Sequence, residues 1–120
     1  MQQIIQRVSQ GQYPLSLTLY QLGGDYLVTL EGGEAHLGAI AWNQESTVLK
    51  PHKEGPIALE IAAQLEPLLS GQVAVIAGIH YPNLSAQGIQ EILQTVAQLT
   101  EQLKKDSRFP RKNTPAQTAE

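Results

Sequence analysis

Alternating apolar and polar residues fill positions 1–43, which glycines divide into four short segments. In the second segment, Tyr13, Leu15, Leu17 and Leu19 alternate with smaller or more polar residues, so one face of the segment is apolar. This period of two, with turn residues about every ten positions, is typical of strands joined by hairpins. The pattern predicts a four-stranded antiparallel meander.

The second half of the chain changes to a helical period around one strongly apolar strand. Residues 55–70 place apolar side chains on one helical face, and Pro67 should end that helix. Residues 72–79 form a nearly continuous apolar run, which predicts a central strand covered on both faces. Ser85 is the expected N-cap of a second helix. The apolar stripe of that helix contains Ile89, Ile92, Leu93, Val96, Leu99 and Leu103.

These elements predict an α+β domain over residues 1–103. Its mostly antiparallel sheet has five to six strands, including a short strand near 46–49, and two helices pack on the sheet. Residues 1–103 hold nine acidic and three basic residues, whereas residues 104–120 hold two acidic and five basic residues without periodicity. We therefore expect a basic, disordered tail after residue 103. The tail has one aromatic residue and no folded platform, so we expect no nucleic-acid partner.

Composition narrows the chemistry further. The chain has no cysteine, which excludes disulfides and thiol nucleophiles. No signal-peptide layout and no apolar run of membrane-spanning length occur, so we expect a cytoplasmic protein without a membrane partner. The dinucleotide and P-loop glycine motifs are absent, and the three histidines lack the spacing of a metal motif.

Two polar clusters stand at the ends of predicted elements. In "KPHKEG", His52 and Lys53 come directly before the first helix, where N–H groups and the helix dipole favour an anion. In "AGIHYPNLS", His80, Tyr81 and Asn83 follow the apolar strand. Each cluster also has a purely structural explanation, a solvated loop in the first case and a strand-to-helix turn in the second.

The position of Trp42 depends on strand direction. If the fourth strand runs parallel to the apolar strand, both end at the same edge of the sheet. Trp42 would then lie beside His80 and Tyr81 and add a stacking surface.

Three stretches, in this order, resemble a known family: "HLGAIAW", "KPHKEGPIALEIAAQL" and "VAVIAGIHYPNLSAQGIQEIL". They are similar to the small bacterial prenylated-flavin chaperones of the LpdD-like family, over about residues 12–103. The resemblance implies a protein without catalytic activity that shelters reduced prenylated FMN and delivers it to a UbiD-type aromatic-acid decarboxylase. It also implies a fold related to proteasome assembly chaperones, and a homodimer.

A flavin mononucleotide needs an apolar or aromatic wall, ring hydrogen bonds and a phosphate pocket. Under the resemblance, Trp42 and Tyr81 would supply the wall, and Lys53 with His52 the phosphate pocket. The full set of expected cofactor contacts is His36, Trp42, His52, Lys53, His80, Tyr81 and Asn83.

Two other functions stay open from the sequence. One is a protein-assembly factor of the same fold that binds partner subunits and no small molecule. The other is a small enzyme or metal protein that uses His36, His52 and His80.

Overall fold

The structure, a computed structural model, describes residues 1–34, 36–42, 45–48 and 54–112, with backbone alone for 45–48. The strands are β1 (Gln2–Val8), β2 (Leu15–Leu22), β3 (Asp25–Gly33), β4 (Ala39–Trp42), β5 (Glu45–Val48) and β6 (Val73–His80). The helices are α1 (Glu54–Leu65), a short 3-10 helix (Glu66–Leu68) and α2 (Ala86–Lys105).

The strands form one six-stranded sheet in the order β1-β2-β3-β6-β4-β5. Strand β6 pairs parallel to β3 and antiparallel to β4, and the remaining pairs are antiparallel. The predicted α+β class, mostly antiparallel sheet and central apolar strand are confirmed. The predicted four-stranded meander is wrong, because β6 lies between β3 and β4. An apolar strand buries most surface when it has a neighbouring strand on both sides. Strand β6 therefore pairs with β3 at the position that the meander assigned to β4.

One face of the sheet is covered by helices. The helix α1 packs on β4 and β6, while α2 packs on β1 and β2. Inward side chains such as Leu17, Val28 and Val75 are completely buried beneath them. Apolar and polar residues alternate along these strands because one face of the sheet packs against helices and the other does not.

The opposite side, which we call the open face, has no helix over it in the described part of the chain. The pairing register places the following residues on the open face: Ser16, Thr18 and Tyr20 of β2; Leu27, Thr29 and Glu31 of β3; Ile40 and Trp42 of β4; and Ala74, Ile76 and Gly78 of β6. Most of these side chains are half-buried by their neighbours alone.

The first helix ends as its sequence predicts. The α-helical turn stops at Leu65, and Pro67 lies inside the 3-10 helix that follows. Proline lacks the N–H that the next α-helical turn would need, so the backbone tightens and then becomes extended at Leu69. Strand β6 follows after a short turn.

The second helix begins at its expected cap. The Ser85 hydroxyl oxygen accepts a hydrogen bond of 3.0 Å from the Gly88 N–H. The inner part of the predicted apolar stripe is buried, whereas Ile89 and Leu93 are 38% and 45% exposed. Among the described residues, no helix has the length and apolar character needed to cross a membrane.

The folded part of the chain continues beyond residue 103. Helix α2 ends at Lys105, and Phe109 then packs into the core with 8% of its surface exposed. The Lys112 N–H donates a 2.8 Å hydrogen bond to the Leu68 carbonyl, which ties this segment to the end of the 3-10 helix. The tail boundary expected after residue 103 is therefore too early. The rest of the predicted tail, 113–120, lies outside the described residues.

Charge pairing helps to hold the turn after α2. Arg108 donates side-chain hydrogen bonds of 2.9 and 2.8 Å to the Asp106 carboxylate, and Arg7 of β1 lies 3.8 Å from the same group. The hydrogen bonds from Arg108 hold the pKa of Asp106 far below its ordinary range. The carboxylate therefore stays charged and connects the turn to the first strand.

The connection between β3 and β4 has to cross the end of β6. The Glu34 N–H donates to the His80 carbonyl and the Gly38 N–H to the Ala77 carbonyl, both at 3.0 Å. Between these two bonds, the His36 backbone lies directly against Gly78. A Cβ at Gly78 would overlap with the His36 carbonyl oxygen, so the crossing requires a glycine at that position.

We expect Gly78→Ala to lower the free energy of unfolding by at least about 2 kcal/mol, because the new methyl group displaces the crossing backbone. Urea denaturation followed by circular dichroism measures the change. Gly24→Ala is the matched control, since a Cβ at Gly24 meets nothing within 4 Å. Equal stability of the two variants would contradict the close packing at Gly78.

Candidate functional site

Two histidines and a glutamate meet where β6 ends and α1 begins. The ring centroids of His36 and His80 are 6.4 Å apart, with the rings nearly perpendicular. The Nε2 atom of His36 lies 3.7 Å from the Oε2 atom of Glu54. We call His36, Glu54 and His80 the histidine cluster. It joins residues from three separate parts of the sequence at one edge of the sheet.

The local backbone sets the orientation of His36. Its Nδ1 atom lies 3.3 Å from the Glu34 carbonyl oxygen, so Nδ1 is the donor and the Nε2 edge turns toward Glu54. Gly38 leaves room for this pair, because a Cβ there would overlap with the Glu54 carboxylate and lie 2.9 Å from His36 Nε2. Glu54 itself is only 7% exposed and lies in the first turn of α1, where the helix dipole favours a negative charge.

Tyr81 follows the histidine cluster but has a structural role. Its hydroxyl donates a hydrogen bond to the Pro14 carbonyl, and its ring meets the edge of the Tyr13 ring at 5.2 Å between centroids. Two residues later, Asn83 has a φ of 57°, a left-handed conformation that asparagine tolerates well. This part of "AGIHYPNLS" is therefore a strand-to-helix turn, and Tyr81 is turned toward β2.

Trp42 lies far from the histidine cluster. Because β4 runs antiparallel to β6, Trp42 pairs with Ala74, six residues and about 20 Å along the strand from His80. Its indole N–H donates a 3.0 Å hydrogen bond to the Gln72 side-chain oxygen. The expectation that Trp42 joins His80 and Tyr81 at one edge is wrong, since it required a parallel pair.

The predicted phosphate pair, His52 and Lys53, lies outside the described residues. Glu54, which follows them directly in the sequence, is part of the histidine cluster, and the phosphate site at the start of α1 stays a prediction. Across the described ranges 1–34, 36–42 and 54–112, no group of three or more histidine, aspartate or glutamate side chains is arranged to hold a metal ion.

A pocket of about 310 Å³ opens beside the histidine cluster on the open face of the sheet. We call it the open-face pocket. It is lined by Thr29, Leu30, Glu31, His36, Leu37, Ile76 and Gly78. Leu37 at its rim is 47% exposed. The buried Thr29 hydroxyl has no hydrogen-bond partner among the described residues. His36 belongs to both the cluster and this pocket, so the two form a continuous site.

A second pocket, of about 300 Å³, lies between the two helices. Apolar side chains such as Ile57, Ile61 and Leu93 line most of it, and no histidine does. The pocket follows from the partial separation of α1 from α2. Glu60, Gln64 and Thr100 add polar groups to it, but His36 and His80, which the sequence singled out, lie at or beside the open-face pocket.

Sequence reasoning brought out His36 and His80 but missed two residues of the site. Glu54 was visible in the "KPHKEG" motif, where a glutamate at a helix start has an ordinary structural explanation. Thr29 was visible only as a polar position of an alternating strand. Its importance depends on the β3–β6 pairing, which the local pattern does not contain.

Comparison with known proteins agrees with the earlier resemblance. A search of curated proteins finds no match. A family model, described as the prenylated flavin chaperone LpdD-like domain, matches residues 9–108 of the 120-residue chain. The matched range contains the histidine cluster and the whole open-face pocket. The chain therefore belongs to the LpdD-like family of prenylated-flavin chaperones.

Proposed function

We propose that this protein binds reduced prenylated FMN without chemically changing it and delivers it to a UbiD-type aromatic-acid decarboxylase. The observation that carries the proposal is the family match over residues 9–108. The site geometry is compatible with it. The histidine cluster and the open-face pocket place ring nitrogens, a carboxylate and an apolar surface at one end of the sheet.

A binding role fits the chemistry of the described residues. His36 is oriented by the Glu34 carbonyl and Glu54, so its ring is held in place by the protein. His80 is exposed, so its side chain is accessible to a ligand. Fixed and accessible polar groups beside an apolar pocket suit recognition of a ring system.

Release also places a limit on affinity. A carrier that delivers its ligand cannot hold it as tightly as the enzyme that receives it, because the transfer must be favourable. The open-face pocket meets this condition, since it is open to solvent on one side and its rim residue Leu37 is half exposed. We infer a reversible complex in which the ligand leaves through the open side.

We expect purified protein to bind reduced prenylated FMN and to slow its oxidation in air. His80→Ala should weaken binding about tenfold, because the exposed ring is lost without disturbing the core. Trp42→Ala is the control, since it removes an exposed aromatic side chain at the far end of β6. Titration followed by the flavin absorption spectrum gives the dissociation constants. Failure of the parent protein to bind or protect the flavin would refute the proposal.

Delivery is tested with an apo-decarboxylase of the UbiD type. Flavin-loaded protein should activate the apo-enzyme in air more completely than an equal amount of free reduced prenylated FMN. The difference should disappear when both are mixed without oxygen, because shelter is then unnecessary. The assembly-factor function would be favoured by two results together. The protein would bind no flavin, and it would capture a decarboxylase subunit equally well whether or not flavin is present.

We also propose that two copies of the chain pair, as the family resemblance implies. The half-exposed apolar side chains Val8, Leu22 and Trp42 lie apart on the sheet, so this proposal rests on the family resemblance. A cytoplasmic location stays a prediction of the sequence.

Light scattering coupled to size exclusion should give twice the chain mass of 13.1 kDa. The measurement is made across a dilution series, so that a weak dimer is recognised by its dissociation. A constant mass of one chain at every concentration would contradict the pairing.

A further inference from the structure

We propose that the flavin ring binds in the open-face pocket, with its pyrimidine edge on Thr29 and Glu31 of β3. The inference rests on the proposed function and assigns a location within it. Three features of the described residues support it: the Thr29 hydroxyl without a hydrogen-bond partner, the apolar surface of Leu37 and Ile76, and the size of the pocket.

The hydroxyl of Thr29 is the most specific of these observations. Its oxygen is buried at the pocket wall and has no hydrogen-bond partner in the described part of the chain. Buried polar side-chain atoms nearly always have a partner in folded proteins. The Thr29 side chain lines the pocket, so a rotation about χ1 would bring this hydroxyl to a ligand that offers it a partner.

The flavin offers groups that match this strand. Its pyrimidine edge carries an N–H donor between two carbonyl oxygens. Thr29 and Glu31 are two positions apart on β3, so both side chains point to the open face. The Thr29 hydroxyl can donate to a ring carbonyl while the Glu31 carboxylate accepts from the ring N–H. Both groups line the pocket.

The remaining walls of the open-face pocket provide an apolar surface. Ile76 lies beside Thr29 in the parallel β3–β6 pair, and Gly78 beside Glu31. The crossing His36 backbone covers Gly78, so the accessible apolar surface is that of Ile76 on the sheet and of Leu37 at the rim. A planar ring placed here covers the apolar surface of Leu37 and Ile76, and its burial contributes to binding.

Pocket size determines how much of the ligand enters. At about 310 Å³ the pocket is at the lower end of the range for small-molecule sites, roughly 300 to 1,000 Å³. That volume suits the ring system rather than the complete mononucleotide. His36 belongs to both the pocket and the histidine cluster, so the chain that carries the phosphate leaves the pocket beside His80.

The first experiment removes the hydroxyl alone. Thr29→Val keeps the β-branched shape that a strand favours, and should weaken binding of reduced prenylated FMN at least about fivefold. Thr18→Val is the matched control. Thr18 is the cross-strand neighbour of Thr29 on the same face but does not line the pocket. Melting temperatures of both variants confirm that they are folded.

The second experiment blocks the rim. Leu37→Glu places a negative charge beside an anionic ligand and should abolish measurable binding. Leu93→Glu is its control, because Leu93 has nearly the same exposure, 45% against 47%, and lies on α2 behind the sheet. Both positions are exposed, so neither substitution forces a charge into the core.

The outcomes separate this inference from the proposed function. Weaker binding in Thr29→Val and Leu37→Glu, with both controls unchanged, supports the pocket. If the parent protein binds flavin but these two variants bind equally well, the pocket assignment is overturned and the function stands. If the parent protein binds no flavin, both fail. Equal loss in Leu37→Glu and Leu93→Glu would also overturn the assignment, since the effect would not be local.

Discussion

The contact between the His36 backbone and Gly78 is the constraint on which the rest of the structure depends. Strand β6 lies between β3 and β4, so the chain that joins those two strands must pass across the end of β6. Backbone can lie directly on backbone there only because position 78 has no Cβ. The two hydrogen bonds that flank the contact fix the crossing in place. The sheet order and the position of His36 are therefore set by the same few atoms.

Local pattern predicted most of the secondary structure and part of the topology. Alternation identified the strands, the helical period identified α2, and Pro67 marked the end of α1, because each of these signals acts between residues close in sequence. The order of strands is a different kind of information. Nothing in the pattern of β3 and β4 indicates that a strand from much later in the chain will separate them. That insertion made the four-stranded meander wrong and reversed the expected direction of β4 relative to β6.

The candidate site was also predictable only as far as local sequence signals reach. His80 could be found at the end of a buried strand, and "HLG" drew attention to His36 through the family resemblance. Their approach to Glu54 depends on the crossing connection and on how α1 packs, neither of which is encoded locally. Trp42 shows the converse. Its aromatic ring suits a flavin site, yet Trp42 lies at the other end of the sheet because β4 runs antiparallel to β6. Side-chain chemistry indicates which residues could form a site, whereas the order and direction of the strands determine which of them lie close together.

The position of β6 also has a consequence for how the chain reaches its native state. Its partner β3 ends at residue 33, and β6 begins only at residue 73. During synthesis, β1 to β3 and the β4–β5 hairpin therefore exist before the strand that joins them. Until β6 arrives, each part has an unpaired edge that can pair with another chain. Parallel pairing between distant segments is also intrinsically slow. The central strand, which completes the folded sheet, is thus the last to enter it, and the period before its arrival is when aggregation competes with folding.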